Sequence, residues 1–327
     1  ANGADLVVEM PITAAIQSAE QFAAGGVQQL VALGVQNLAF GTEQPELDYR
    51  QLAAGRLQLE AAKPASAFTD FRQTYASQLA GYYAQLTGQP ITAPNTMLGL
   101  AYAEAVVAQD AAINLLPIQR VGGAHDSQAD TGNGFSSGSA IRQSLLAGED
   151  VGASVPATVV KLLTSSRHVT WADFWPLLRY RLLTASLDEL RAIDQMSEGL
   201  EYRLQENVAA AADFDDFLHT IKSKRYTYAR LRRLCLNVLL NLRSAEVQAM
   251  RAQPVVHVLG FTSAGRQWLH DHRKSAMLPI VTRVARDMIE PDGVLALTQR
   301  ADNLIETISG KPQNYGRPPL MEDSLNA

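Results

Sequence analysis

The stretch DLVVEMPITAAIQSAEQFAAGGVQQLVALGVQNLAFG, residues 5–41, decides the fold. Asp5-Leu-Val-Val-Glu-Met-Pro11 reads as a short buried strand ended by proline, which has no N–H to continue a ladder. Over residues 14–33 the apolar side chains of Ile16, Ala19, Phe22, Ala23, Val27, Leu30 and Val31 recur at helical spacing, and Gly34 stops the helix. Asn37-Leu-Ala-Phe-Gly41 is a second strand. Strand, helix and strand in that order make a βαβ unit, so a parallel sheet is expected, with ligands at the carboxyl ends of its strands. Gly41 stands at such an end. It is either a plain turn glycine or a point where backbone lies against a nucleotide that a side chain would exclude.

Outward from this unit, residues 47–62 and 68–86 are helical, rich in alanine and glutamine, and carry no evident chemistry. Pro94 and Asn95 open a further helix. Asn95 is either its N-cap or a carboxamide offering a donor and an acceptor to an adenine or ribose edge. Residues 113–119 form a third strand that runs into Arg120, which the strand end directs toward the ligand crevice. The following loop carries His125 and Asp126, better read as a substrate-side loop than as a dyad, since adjacent side chains rarely face one another. FSSGSAIRQSLLAG, residues 135–148, then takes a Gly-rich loop into a short helix. Ser136, Ser137 and Ser139 lie where free backbone N–H groups converge, and Arg142 adds full charge, so the turn suits a phosphate. A serine-capped helix with an exposed arginine has the same sequence.

The 327 residues are 47% hydrophobic, enough for a large core, and the length suggests two domains, placed at 1–150 and 151–327. A single cysteine, Cys235, excludes an internal disulfide framework and agrees with a cytoplasmic location. No apolar run approaches the roughly 18 residues of a membrane span, so no membrane partner is expected. The net charge of −5 argues against nucleic acid, yet it conceals an asymmetry. Lys222, Lys224, Arg225, Arg230, Arg232, Arg233 and Arg243 fall in a segment without a single acid. As a helix over 228–242, this segment puts Leu231, Leu234, Cys235, Val238 and Leu242 on one side, and Arg230, Arg233 and Asn237 on another. Arginines so spaced track a phosphate backbone, and Tyr226 and Tyr228 add aromatic interleaving. The competing reading is a solvated face neutralised by Glu198, Glu201, Glu206, Asp213, Asp215 and Asp216.

The second half otherwise reads as helical over 156–163, 171–183 and 187–208, with Trp171, Trp175 and Tyr180 as core packing. Residues 255–261 form a strand, Thr262 caps a helix, residues 280–288 resemble another helix, and the tail from Lys311 is extended or mobile. His270 and His272 lack further clustered ligands, so no metal site is assigned.

The ordered series Gly-Ala-Asp5-Leu-Val-Val-Glu-Met-Pro11, Phe22-Ala23-x-Gly25, Phe40-Gly41-Thr42-Glu43, Pro94-Asn95-x-x-Leu98-Gly99, His125-Asp126 and Ser137-x-Ser139-Ala-Ile-Arg142 resembles the bacterial tRNA(Met) cytidine acetate ligases. Lys224-Arg225-Tyr-Thr-x-x-Arg230-Leu-x-Arg233 and Leu259-Gly-Phe-Thr262-x-x-Gly265 continue the likeness. The resemblance implies an α/β fold: a Rossmann-like, parallel-sheet nucleotidyltransferase domain of the HxGH type, N-terminally incomplete, followed by a mainly helical tRNA-binding domain. It implies that ATP and acetate give an acetyl-adenylate, and that the acetyl group passes to N4 of the wobble cytidine of elongator tRNA(Met). Gly41, Asn95 and Arg120 fall where the family holds ATP, accompanied by Mg2+, and Ser136, Ser137, Ser139 and Arg142 match a second phosphate-binding signature. Lys222, Lys224, Arg225, Arg230, Arg232 and Arg233 would meet the tRNA.

The family's Asn-Pro-Phe-His-x-Gly-His does not occur in these residues, so the resemblance names no catalytic residue here. The expectation is a fragment or a shortened relative that binds ATP feebly and forms no acetyl-adenylate. Two alternatives stand beside it: a small-molecule adenylyltransferase akin to those for pantetheine or nicotinate mononucleotide, and a non-catalytic RNA-binding relative. The long helical half with its basic face counts against the first.

Overall fold

The computed structural model describes residues 3–62, 75–88, 91–121, 136–165, 167–197 and 199–321. Its first part runs β1 (Leu6–Val8), α1 (Ile12–Ala15), α2 (Ala19–Ala32), β2 (Asn37–Thr42), α3 (Tyr49–Ala62), α4 (Tyr75–Thr87), α5 (Pro94–Ala108) and β3 (Asn114–Gln119). Strands β2 and β3 are parallel and in register from Asn37 opposite Asn114 to Thr42 opposite Gln119. The crossover between them ends in α5, a helix with buried residues on every side. Such a helix is held by its neighbours and not by one apolar stripe. On one side Leu100 and Ala103 join Phe40, Tyr49, Ala53, Tyr83 and Ile91. On the other, Ala101, Ala105 and Val106 join Ala23 and Val27 of α2. At Gly99 the approach is closest: a Cβ would stand 2.5 Å from the Phe40 ring and 2.8 Å from that of Tyr49.

The second part runs α6 (Gly138–Ala147), α7 (Ala157–Thr164), α8 (Trp171–Thr184), α9 (Leu187–Arg191), α10 (Leu200–Val208), α11 (Phe214–Ile221), α12 (Tyr228–Leu239), α13 (Ser244–Arg251), β4 (Val256–Phe261), α14 (Ser263–His272), β5 (Ile280–Val281), α15 (Ala296–Ser309) and β6 (Leu320–Met321). Helices α8, α10, α11 and α12 enclose a core of Trp175, Leu178, Leu182, Leu204, Phe217, Leu231, Leu234, Cys235 and Val238. Trp171 stacks on Phe214 at 3.8 Å between ring centres, so both tryptophans pack internally. Burial pushes the Cys235 thiol up to about 12, which leaves it inert near neutral pH.

Several expectations change. Strand β1 does not pair with β2. It lies antiparallel to β4, Leu6 opposite Phe261, so the first strand is completed by one from the far end of the chain. Its three residues use their ladder bonds there, and β4 in turn takes β5 and β6 in parallel. The tail thus returns as a short strand. Residues 280–288 are β5 and a 3-10 turn at Arg286–Met288, because β-branched Ile280 and Val281 pair with β4. The helix expected over 187–208 breaks, with Gln195 at φ 66° and Gly199 at φ 78°, conformations that no helix interior admits. Tyr180 is 69% exposed: it falls on the outer side of α8 while Trp175, Leu178 and Leu182 point inward. Among the described residues no helix is long and apolar enough to cross a membrane.

One charged group lies inside the first core. Arg56, 5% exposed, reaches Glu104 at 3.1 Å and Glu20 at 2.9 Å, and the Tyr83 hydroxyl donates to Glu104. Removing the cation would strand the buried Glu104 carboxylate, a loss of about 3–5 kcal/mol. Arg56→Met is therefore expected to lower the urea midpoint sharply with an unchanged slope, as read by circular dichroism.

Candidate functional site

The parallel register brings the carboxyl ends of β2 and β3 side by side, and the Arg120 N–H donates to the Thr42 carbonyl at 2.9 Å. Packing of Gly99 on Phe40 sets the first turn of α5 over the same ends. That turn begins with Ala93 as N-cap, which offers no side-chain acceptor, and Pro94 follows in the position where a missing N–H is harmless. The acceptor comes from β2 instead. Glu43 Oε2 accepts from the Thr96 N–H at 2.9 Å and from its hydroxyl at 3.0 Å, and Glu43 Oε1 accepts from Asn95 Nδ2 at 2.6 Å. A carboxylate at a helix N-terminus is favoured by the helix dipole and the open N–H groups. Arg120 Nε lies 4.0 Å from Oε1.

Asn95 is thus no cap; it is the second helical residue, oriented by Glu43. Beneath the carboxylate lies a dry hydroxyl chain, Tyr49 to Thr42 at 2.5 Å and Thr42 to Thr96 at 2.9 Å, with both threonines fully buried. Burial works against ionisation of Glu43. The hydrogen bonds from Asn95, its own backbone and Thr96 outweigh it and hold the carboxyl below the usual carboxylate range. Gly41 has its open side against the stem of Arg120, whose Cγ would be 3.1 Å from a Cβ there. The glycine makes room for the arginine.

Three sequence-predicted residues, Gly41, Asn95 and Arg120, are therefore brought together around a fourth, Glu43, that the pattern had not singled out. The available signal was a carboxylate one residue past a strand end, together with a helix start at Ala93-Pro94 that lacks a side-chain cap.

Ser136, Ser137, Ser139 and Arg142 form a second group at the start of α6, which follows β3 through residues outside the described set. Ser137 is the N-cap, accepting from the Ala140 N–H at 3.0 Å. Arg142 is exposed and donates to the Ser139 hydroxyl at 3.1 Å, and the Ser136 and Ser154 hydroxyls meet at 2.9 Å. His125 and Asp126 lie outside the described residues.

The basic segment starts α12. Arg230 stacks over Tyr226 at 4.8 Å and donates to the Ser197 hydroxyl at 2.8 Å, and Arg225 lies 5.9 Å from the same ring. Lys222 lies over Tyr228 at 5.4 Å, while Lys224 and Arg232 are exposed. Arg233 is half-buried, with Nε enclosed and without a hydrogen-bond partner. Burial and the neighbouring Arg230 charge push its pKa below the ordinary arginine value. Asn237, expected beside these arginines, is instead fully buried and donates to the Asp194 carbonyl. Of the acids that might have neutralised the face, Glu201 pairs with Arg191 and Asp213 caps α11, while Glu198 lies outside the described residues. Among the described residues Lys222, Lys224, Arg230, Arg232 and Arg233 form no ion pair with a carboxylate.

The family model for HIGH Nucleotidyl Transferase matches residues 1–317. A tRNA(Met) cytidine acetate ligase of Latilactobacillus sakei is 41% identical over 98% of this chain and 82% of its own length. The chain belongs to this ligase family. The enzyme of the same name from Lactiplantibacillus plantarum is 40% identical over 97% of this chain and 82% of its own. The crystal structure of apo Thermotoga maritima TmcAL shares the fold at a TM-score of 0.83, with 24% identity over 98% of this chain and 85% of that one. TmcAL bound with alpha-thio ATP gives 0.80. The parallel sheet and mixed α/β architecture of the ligase family are thus those of this chain.

The pH dependence of this centre has a definite sign. Because the folded pKa of Glu43 is depressed, its contribution to stability is complete above the ordinary carboxylate value, about 4.3, and is lost as pH falls through the folded value. Urea titrations should show Glu43→Gln less stable than the parent at pH 7, with the gap closing below about pH 4.

Proposed function

We propose that this chain is an ATP-dependent ligase that activates acetate and acetylates N4 of the wobble cytidine of elongator tRNA(Met); relatives named tRNA(Met) cytidine acetate ligase support this reading. The observation that carries the site assignment is the convergence of Asn95 and Arg120 on one carboxylate, with Gly41 against the Arg120 stem, at the carboxyl ends of a parallel pair, where open α/β sheets take their ligands. Residues 1–150 would then hold the nucleotide and 151–327 the tRNA.

In this reading Asn95 meets the nucleoside, Arg120 the phosphates, and the Ser136, Ser137, Ser139 and Arg142 turn a further phosphate. An acetate oxygen attacks the α-phosphorus, the bond to the β-phosphate oxygen breaks, and pyrophosphate leaves with its charge met by arginine. The cytidine N4 then attacks the acetyl carbon, AMP departs, and N4 loses a proton. Little covalent help from protein is needed; positioning and charge do most of the work. Mg2+ would travel with the triphosphate. The oxygens of Glu43 already accept from Asn95 and Thr96, and no step here depends on the ion.

The tRNA would lie along Lys222, Lys224, Arg225, Arg230, Arg232 and Arg233. Arg230 and Arg233, which pair with no carboxylate among the described residues, suit a phosphate backbone, and Arg230 stands over the Tyr226 ring. Deleting one cation that meets a phosphate should shallow the salt dependence of binding by about one counterion. Arg230→Glu with Arg233→Glu is expected to abolish gel-shift retention of elongator tRNA(Met) and leave nucleotide affinity alone, while Arg142→Ala does the reverse. Acetate-dependent ATP:pyrophosphate exchange and acetylation of a tRNA(Met) transcript, measured on the full-length natural protein, test the activity. Both are expected, and the absence of either overturns the reading.

A further inference from the structure

We propose that Glu43 is the positioning residue of the nucleotide site, turning the Asn95 amide so that its carbonyl oxygen accepts from the adenine 6-amino group. This rests on the assignment of Gly41, Asn95 and Arg120 to ATP. An ionised carboxylate can only accept, so the atom 2.6 Å from Oε1 is the amide nitrogen, and Asn95 Oδ1 is left on the opposite branch of the amide. Among the described residues Oδ1 carries no hydrogen bond. Glu43 cannot turn to relax this, because Oε2 is held by both the N–H and the hydroxyl of Thr96.

The same carboxylate sets Arg120. It lies nearest Nε, at ion-pair distance, while the stem lies along Gly41 and the terminal nitrogens form no hydrogen bond among the described residues. One acid therefore presents an acceptor for a base and a forked cation for phosphates, both from the rim of the same strand pair. A guanine or hypoxanthine ring puts an acceptor where adenine has its amino group and would meet Oδ1 unfavourably.

The alternative is that Glu43 only caps α5. The two roles separate in Glu43→Gln. A glutamine can still accept from Thr96 through Oε1, but its amino group then faces Asn95 and turns that amide round, directing N–H groups to the base.

The measurement is calorimetric titration of the whole chain with ATP, inosine triphosphate and 2′-deoxy-ATP, with thermal melts as a check on folding. Glu43→Gln is expected to weaken ATP by about tenfold and to shrink the ATP to inosine triphosphate ratio by at least about tenfold, with 2′-deoxy-ATP following ATP. An unchanged ratio, whether or not both affinities fall, leaves Glu43 as a cap and overturns the inference, as does a loss confined to 2′-deoxy-ATP in the parent chain, which would put the interaction on the ribose. If Glu43→Gln fails to fold, Asn95→Leu carries the same test, since Asn95 caps nothing and its removal should erase the discrimination. Asn95→Leu and Arg120→Ala both leaving ATP affinity intact, or no ATP binding by the parent, would overturn the nucleotide site itself. With ATP binding abolished in those two variants but the ratio unmoved in Glu43→Gln, the site stands and only the positioning role falls.

Discussion

Gly99 of α5 seated on the rings of Phe40 and Tyr49 is the packing on which the rest depends. With no Cβ between them, helix and strand approach closely enough to exclude water from the hydroxyls of Thr42, Tyr49 and Thr96. That closeness also fixes where α5 begins. The helix starts above the carboxyl end of β2, its first N–H groups meet Glu43, and the carboxylate replaces a cap that Ala93 cannot supply. A methyl group at position 99 would lift the helix, and Asn95 would leave the rim with it.

Enclosed polar groups in the first core are matched at most of their atoms, Gln29 Oε1 being an exception among the described residues. Arg56 meets Glu104 and Glu20, Tyr83 donates to Glu104, and Gln29 donates to the Val255 carbonyl. The last of these tethers α2 to the residue preceding β4, the strand that completes β1, so the first part of the chain is held partly by residues far along it. The β1 to β4 pairing does the same through backbone.

The basic face holds a further exception. Arg233 keeps an enclosed nitrogen without a partner, and Arg230 stands beside it on Tyr226. Two neighbouring guanidinium groups that pair with no carboxylate among the described residues are costly in isolation, and an anion would relieve both.

By itself the sequence determined the α/β class, the parallel strands around Gly41 and Arg120, the serine-capped start of α6 and the amphipathic basic helix, because each is set by local spacing, caps and periodicity. It also carried the family, through collinear motifs of which no single one is decisive. It could not show that Glu43 gathers Asn95 and Arg120, that β1 is completed by β4, or that Tyr180 faces solvent while Asn237 is enclosed. Those outcomes depend on which elements meet in space, often from distant parts of the chain, and a periodic pattern records that a face is buried without recording against what. Only the folded chain decides where a carboxylate finds its donors, because hydrogen bonds act over about 3 Å in space and not along the sequence.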